Sequence, residues 1–187
     1  MIKESIQESI NLRKTLLEKP DFTEKVEQVI NLLIDCFKNG NKVLIAGNGG
    51  SAADAQHFAA EMVCKFKKER RGYPAIALTA NSSVVTAWSN DYDFKSVFAR
   101  QIEALAKQED VFIGISTSGD SENIVDGVRK AKEIGLKTIC LLGRDGGKLK
   151  NGADISLIIP SQDTARIQEA HIMLIHIICE EVEKKLL

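Results

Sequence analysis

Val43-Leu44-Ile45-Ala46-Gly47-Asn48-Gly49-Gly50-Ser51-Ala52-Ala53-Asp54-Ala55 carries three local instructions in sequence. The first four residues form a short apolar run suited to a strand. The three glycines permit a tight turn. The alanine-rich remainder favours a helix. Strand, glycine turn and helix in that order make up the repeating unit of α/β folds. Four similar apolar runs follow: Ala75-Ile76-Ala77-Leu78, Val111-Phe112-Ile113-Gly114-Ile115, Thr138-Ile139-Cys140-Leu141-Leu142 and Ile155-Ser156-Leu157-Ile158-Ile159. Each precedes a loop and a helical segment. Runs that are apolar along their whole length predict strands buried on both faces, as in a parallel sheet covered by helices.

Upstream, Ile6, Ile10, Leu12, Leu16 and Leu17 recur at helical spacing before Pro20. Phe22, Val26, Val29, Ile30, Leu33, Ile34 and Phe37 do so after it, and Asn39-Gly40 is a helix-end signal. A long helix is predicted from about Asp163 to Lys185. The expected fold is therefore α/β: a three-layer α/β/α sandwich on a five-stranded parallel sheet of flavodoxin-like kind, with an N-terminal helical pair. We expect one domain over residues 1–187, with residues 1–40 serving oligomer contacts and 41–187 forming the sheet domain.

The chain has 187 residues, 25 Lys and Arg against 26 Asp and Glu, and a net charge of −1. A balance this close to zero argues against an electrostatic nucleic-acid binder, which needs a basic surface to displace counterions from phosphates. With 44% hydrophobic and 27% charged residues the chain is globular rather than disordered. Cys36, Cys64, Cys140 and Cys179 form no CxxC pair, which predicts reduced thiols and a cytoplasmic location. Met1 to Glu18 has no continuous apolar run of the secretory kind. The run Ile172 to Cys179 is far short of the roughly 20 residues of a membrane span, and His176 interrupts it, so no membrane association is expected.

Ligands of such sheets bind at the carboxyl ends of the strands, so chemistry is sought in the loops there. In the first loop, Asn48, Gly49, Gly50 and Ser51 are candidate contacts: glycines allow close backbone approach, and the following helix start offers free N–H groups to an anion. A turn using glycine for geometry alone is the plainer reading of the same residues. The acidic residue of a dinucleotide site, due at the end of the second strand, is absent, because that strand ends at Leu78-Thr79-Ala80-Asn81. After the third strand, Ser116, Thr117, Ser118 and Ser121 surround Gly119. Four hydroxyls in six positions at a helix start can wrap a phosphate without a lysine. N-capping would account for Ser121 only. No GxxxxGK[ST] string is present, which argues against nucleoside triphosphate hydrolysis.

His57 and Glu61 are four apart and share a helix face. Gln168 and His176 are eight apart in the last helix, offset by about 80° and still able to border one site. Two imidazoles, a carboxylate and an amide oxygen could hold a borderline divalent metal such as zinc. The same carboxylate and imidazole could equally act as base and acid without a metal. His171 is left to the core.

These residues carry a family resemblance. Gly47 to Ala55, His57 through Glu61, Gly72 to Leu78, Asn90-Asp91-Tyr92, Ser116-Thr117-Ser118-Gly119, and Asp163 to Glu169 with His176 resemble the SIS (sugar isomerase) domains, in particular the bacterial phosphoheptose isomerases. The resemblance implies interconversion of sedoheptulose 7-phosphate and D-glycero-D-manno-heptose 7-phosphate, the first step toward activated heptose for lipopolysaccharide or capsule. It also implies a cytoplasmic homotetramer with sites at subunit boundaries and one zinc per subunit. The substrate contacts it implies are Asn48, Gly49, Gly50, Glu61, Asn90, Asp91, Ser116, Thr117, Ser118, Ser121 and Gln168. The implied metal ligands are His57, Glu61, Gln168 and His176. In an enediol mechanism Glu61 would be the carbon base and His176 would move the oxygen proton. Two departures stand out. Cys64-Lys65 replaces a frequent Gly-Arg, keeping a charge without the planar fork, and Ser89 replaces a glycine before Asn-Asp. A competing reading is an SIS-fold regulator that binds the replication initiator without turnover; such a scaffold would have no chemical reason to keep Glu61, Gln168 and His176 beside a phosphate loop.

Overall fold

The computed structural model describes residues 1–187. In chain order the elements are α1 Ile2–Leu17, α2 Pro20–Lys38, β1 Val43–Gly47, α3 Gly50–Val63, β2 Ala75–Ala77, α4 Ser82–Asp91, α5 Val97–Leu105, β3 Val111–Ser116, α6 Glu122–Ile134, β4 Lys137–Gly143, a 3-10 turn at Gly147–Leu149, β5 Ile155–Ile159 and α7 Thr164–Leu186. The five strands form one parallel sheet in the order β2-β1-β3-β4-β5. The expected three-layer α/β/α architecture with five parallel strands and a leading helical pair is what the chain adopts.

Alternation along each strand divides the core in two. Val43 and Ile45 of β1, Ile113 of β3 and Leu141 of β4 point into one apolar cluster, formed with α2, α3 and α7. Leu44 and Ala46, Phe112 and Cys140 point into the other, formed with α5 and α6. This is why the strands read as continuous apolar runs. The expectation of burial on both faces fails at β2. It is one of the two edge strands, only three residues long, and Ile76 is 38% exposed. The other edge strand, β5, is largely buried, so it is cover over the face carrying Ile76, not edge position, that β2 lacks.

Two further elements are only partly covered. Helix α1 buries Ser9 and Leu16, while Ile2, Ile6, Ile10 and Leu17 remain exposed. Helix α4 buries no residue at all. Among the seven helices, none is long and apolar enough to cross a membrane.

The strand order fixes where a ligand would sit. From β1 the chain moves to β2 on one side and then to β3 on the other. The loops leaving β1 and β3 therefore diverge from adjacent strands, and the gap between them is the switch point where such sheets bind ligands.

Candidate functional site

The first of these loops turns through Gly47, Asn48 and Gly49 into α3. Ser51 is buried in the first turn of that helix. A side chain at Gly50 would collide with the amide of Gln168, so glycine here lets α7 bring that amide against the loop backbone.

In the second loop three of the four hydroxyl residues, Ser116, Ser118 and Ser121, fold around one another. Ser116 Oγ lies 3.0 Å from Ser121 Oγ and 3.5 Å from Ser118 Oγ. Ser116 Oγ also accepts from Gly119 N at 3.1 Å, and Ser118 Oγ from Asp120 N at 3.2 Å. Ser121 stands at the N-cap of α6 without capping it through its side chain; its hydroxyl turns to Ser116 instead. Gly119 has φ +73°, and a Cβ there would run into the Gly146 carbonyl, so the loop rests directly on the β4–β5 connection. Leu149 N donates to Gly119 O at 3.1 Å and Lys148 N to Asp120 Oδ1 at 3.0 Å, holding that contact.

The two loops are joined. Asn48 Nδ2 donates to Asn123 Oδ1 at 2.8 Å, and Asn123 Nδ2 returns a bond to Asn48 Oδ1 at 2.9 Å. Asn123 is buried in the first turn of α6. Sequence reading missed it; the available signal was an amide on the core-facing stripe of an otherwise amphipathic helix.

The histidine set assembles beside the first loop. His57 Nε2 is 3.0 Å from Glu61 Oε1, as the four-residue spacing requires, and His176 Nε2 is 3.5 Å from His57 Nε2. One ligand atom from each of the three residues lies within 4.8 Å of the others. The rings of His57 and His176 meet edge-on at 5.1 Å, and Phe66 lies 5.8 Å from the His176 ring. The cluster is open: the side chains of His57 and Glu61 are 43% and 24% exposed. Two imidazole nitrogens and a carboxylate oxygen converging in this way suit a divalent metal. Gln168 lines the same open cleft as His57 and Asp54. Asp54, also unassigned from sequence, has a buried oxygen with no partner, and burial pushes its carboxyl up to about 6 against the opposing pull of His57.

Asn90 and Asp91 are not drawn in. They sit exposed at the end of α4, bonded to each other at 2.9 Å, and make no hydrogen bond to either loop or to the histidine cluster within one chain. Lys65 pairs with Glu69, and the Ser89 hydroxyl is buried without a partner. His171 is fully buried on α7, with Nε2 3.1 Å from Leu142 O, in agreement with its assignment to the core.

Comparison with known proteins bears on the family and the fold. The SIS domain profile matches residues 6–143. The chain is 53% identical to the phosphoheptose isomerase of Clostridium acetobutylicum over 185 residues, covering 99% of this chain and 94% of that protein. It is 51% identical to the phosphoheptose isomerase of Helicobacter pylori strain P12 over 186 residues, covering 98% and 97%. Among solved structures it superposes on the phosphoheptose isomerase of Neisseria gonorrhoeae with a TM-score of 0.92 at 42% identity, covering 98% of this chain and 97% of that one. For the enzyme of Francisella tularensis the TM-score is 0.93 at 37% identity, covering 98% and 96%.

Proposed function

The chain belongs to the SIS domain family and, within it, to the phosphoheptose isomerases, and on that premise we propose how its own residues divide the work. It is a sugar-phosphate aldose–ketose isomerase that converts D-sedoheptulose 7-phosphate to D-glycero-D-manno-heptose 7-phosphate, the entry to activated-heptose biosynthesis. The product serves lipopolysaccharide or capsule. The observation that carries the assignment of roles is that the two loops at the switch point are bonded together through Asn48 and Asn123, while the His57–Glu61–His176 cluster is built on the helix that leaves the first of them.

The reaction moves a proton between C1 and C2 through an enediol. It needs a base at the carbons, an acid–base group at the oxygens and relief of developing negative charge. Glu61 takes the carbon proton: Oε1 is engaged by His57, while Oε2 makes no hydrogen bond within the protein and can serve as the base. His176 moves the proton between the two oxygens. The hydroxyls of Ser116, Thr117, Ser118 and Ser121 hold the phosphate at the far end, and that grip orients the sugar. Asn48, Gly49, Gly50, Ser51 and Gln168 line the path between. His57, Glu61, Gln168 and His176 fit one zinc ion per subunit, which, when bound, would polarise the carbonyl.

Asn90 and Asp91 act in this scheme from a neighbouring protomer of a cytoplasmic homotetramer. The uncovered stripe of α1 and the partly covered α4 support such an assembly, with residues 1–40 packing between subunits of a single-domain chain and residues 41–187 carrying the sheet. Nothing in the geometry favours the regulator reading. The test is to incubate the protein with sedoheptulose 7-phosphate and follow formation of the aldose. Glu61→Gln should abolish turnover while leaving sugar-phosphate binding within a few-fold; a near-normal rate in that variant would remove Glu61 as the base.

A further inference from the structure

The segment that follows Glu61 is held by a buried ion pair with no part in the scheme above. Arg70 Nε donates to Glu183 Oε1 at 2.9 Å, and the two side chains are only 2% and 3% exposed. The guanidinium also reaches three carbonyls: Glu61 O from Nη2 at 2.8 Å, and Met62 O and Arg71 O from Nη1 at 2.9 and 3.2 Å. Its face lies 4.1 Å from the Tyr73 ring. The Glu183 carboxylate in turn accepts the backbone N–H groups of Phe66, Lys67 and Lys68 at 3.0, 2.8 and 3.0 Å.

Each end of this pair leads to the cluster. Glu61 and Met62 are among the last four residues of α3, whose carbonyls have no partner within the helix. Arg70 satisfies two of them and sets its positive charge at the negative end of the helix. Glu183 lies seven residues after His176 on α7, two turns along nearly the same stripe. Phe66, whose N–H it binds, packs its ring on His176. A buried ion pair is a poor source of stability, since well-packed apolar residues of the same volume often serve as well or better. What this one does achieve is to fix the α3 terminus carrying Glu61 to the α7 face carrying His176.

We propose that Arg70 and Glu183 form a positioning pair, setting the separation of Glu61 and His176 at which the proton transfers occur. This rests on the roles given to those two residues above. Arg70→Lys keeps the charge but cannot span two carbonyls and the carboxylate with a planar fork. Glu183→Asp keeps the charge and withdraws it by one methylene, and Glu183→Gln removes it. For each folded variant, kcat should fall at least tenfold with KM for sedoheptulose 7-phosphate changed less than twofold. The dissociation constant for cobalt(II), read by its visible absorption in metal-stripped protein, should rise at least tenfold. Glu61→Gln is the control. If it is inactive while a folded Arg70 or Glu183 variant keeps kcat and cobalt affinity within twofold, the pair is merely structural and the proposal is overturned. If Glu61→Gln stays active, the base assignment fails first. Failure of all three pair variants to fold would also overturn it, because the pair would then serve folding alone.

Discussion

His171 offers a measurable link between the site's scaffold and pH. It is buried on α7, one turn after Gln168 and five residues before His176, and donates through Nε2 to the Leu142 carbonyl at the end of β4. Its Nδ1 has no partner. The neutral ring tolerates this as a bare lone pair, but protonation would create a buried N–H with nothing to accept it. Burial accordingly pulls the imidazole down to about 4 from 6.5, with the Leu142 bond pulling weakly the other way. Between those values the unfolded chain binds more protons than the folded one, so stability falls as pH falls. The linkage amounts to about 2 kcal/mol between neutral pH and pH 5, and about 3 kcal/mol once pH drops below 4. For a domain of this size 2 kcal/mol corresponds to roughly 4–8 °C in Tm. The perturbation is His171→Gln, which keeps a donor and removes the titration. Thermal melts at pH 7.5 and pH 5, at one fixed protein concentration, should show the unmodified protein losing that much more than the variant. Equal pH-dependent losses in the two proteins would refute the burial argument.

Three other outcomes are expected. Ser118→Ala removes a hydroxyl whose bonds are confined to its own loop; KM should rise roughly tenfold, from about 1.5 kcal/mol of hydrogen bonding to a charged oxygen, with Tm nearly unchanged, and initial-rate kinetics would read this. Gly50→Ala should drive the flexible Gln168 amide away from the loop; turnover should fall at least tenfold with stability altered by less than about 1 kcal/mol, as a melt and a rate measurement on one sample would show. Exhaustive chelation should lower the rate and added zinc should restore it, with metal analysis giving one ion per chain; full activity in demonstrably metal-free protein would remove the ion from the reaction.

Much of this was legible in the chain itself. Strands β1, β3, β4 and β5 could be read because each of their faces meets its own apolar cluster, leaving continuous β-branched runs. Helix α4 could not be separated from its surroundings, because Ser82–Asp91 buries no residue fully and only Val85 and Trp88 pack on the core, too short a stripe to read; the Trp88–Tyr92 stack at 4.1 Å closes its C-terminal end. The pairing of His57 with Glu61 follows from helix geometry alone. Asn123 and the Arg70–Glu183 pair escaped notice for a common reason. Their partners lie 75 and 113 residues away, so they become partners only once the sheet and α7 have been assembled, and no local pattern marks them beforehand.

The amide pair between Asn48 and Asn123 bears on the thermodynamics of substrate capture. The two loops are already fastened to each other, and the second also to the β4–β5 connection, so under the proposed roles a sugar phosphate would meet walls that need not be gathered around it. The conformational entropy of ordering them is lost once, when the chain folds, and not again at every encounter. If the hydroxyl loop holds the phosphate as proposed, a site of mostly neutral donors could take a doubly charged group without a dedicated cation in the loop: its donors stand in a fixed constellation, and binding would exchange their internal bonds for bonds to phosphate oxygen. Loosening either asparagine should make capture slower and entropically dearer, even though neither amide need touch the phosphate.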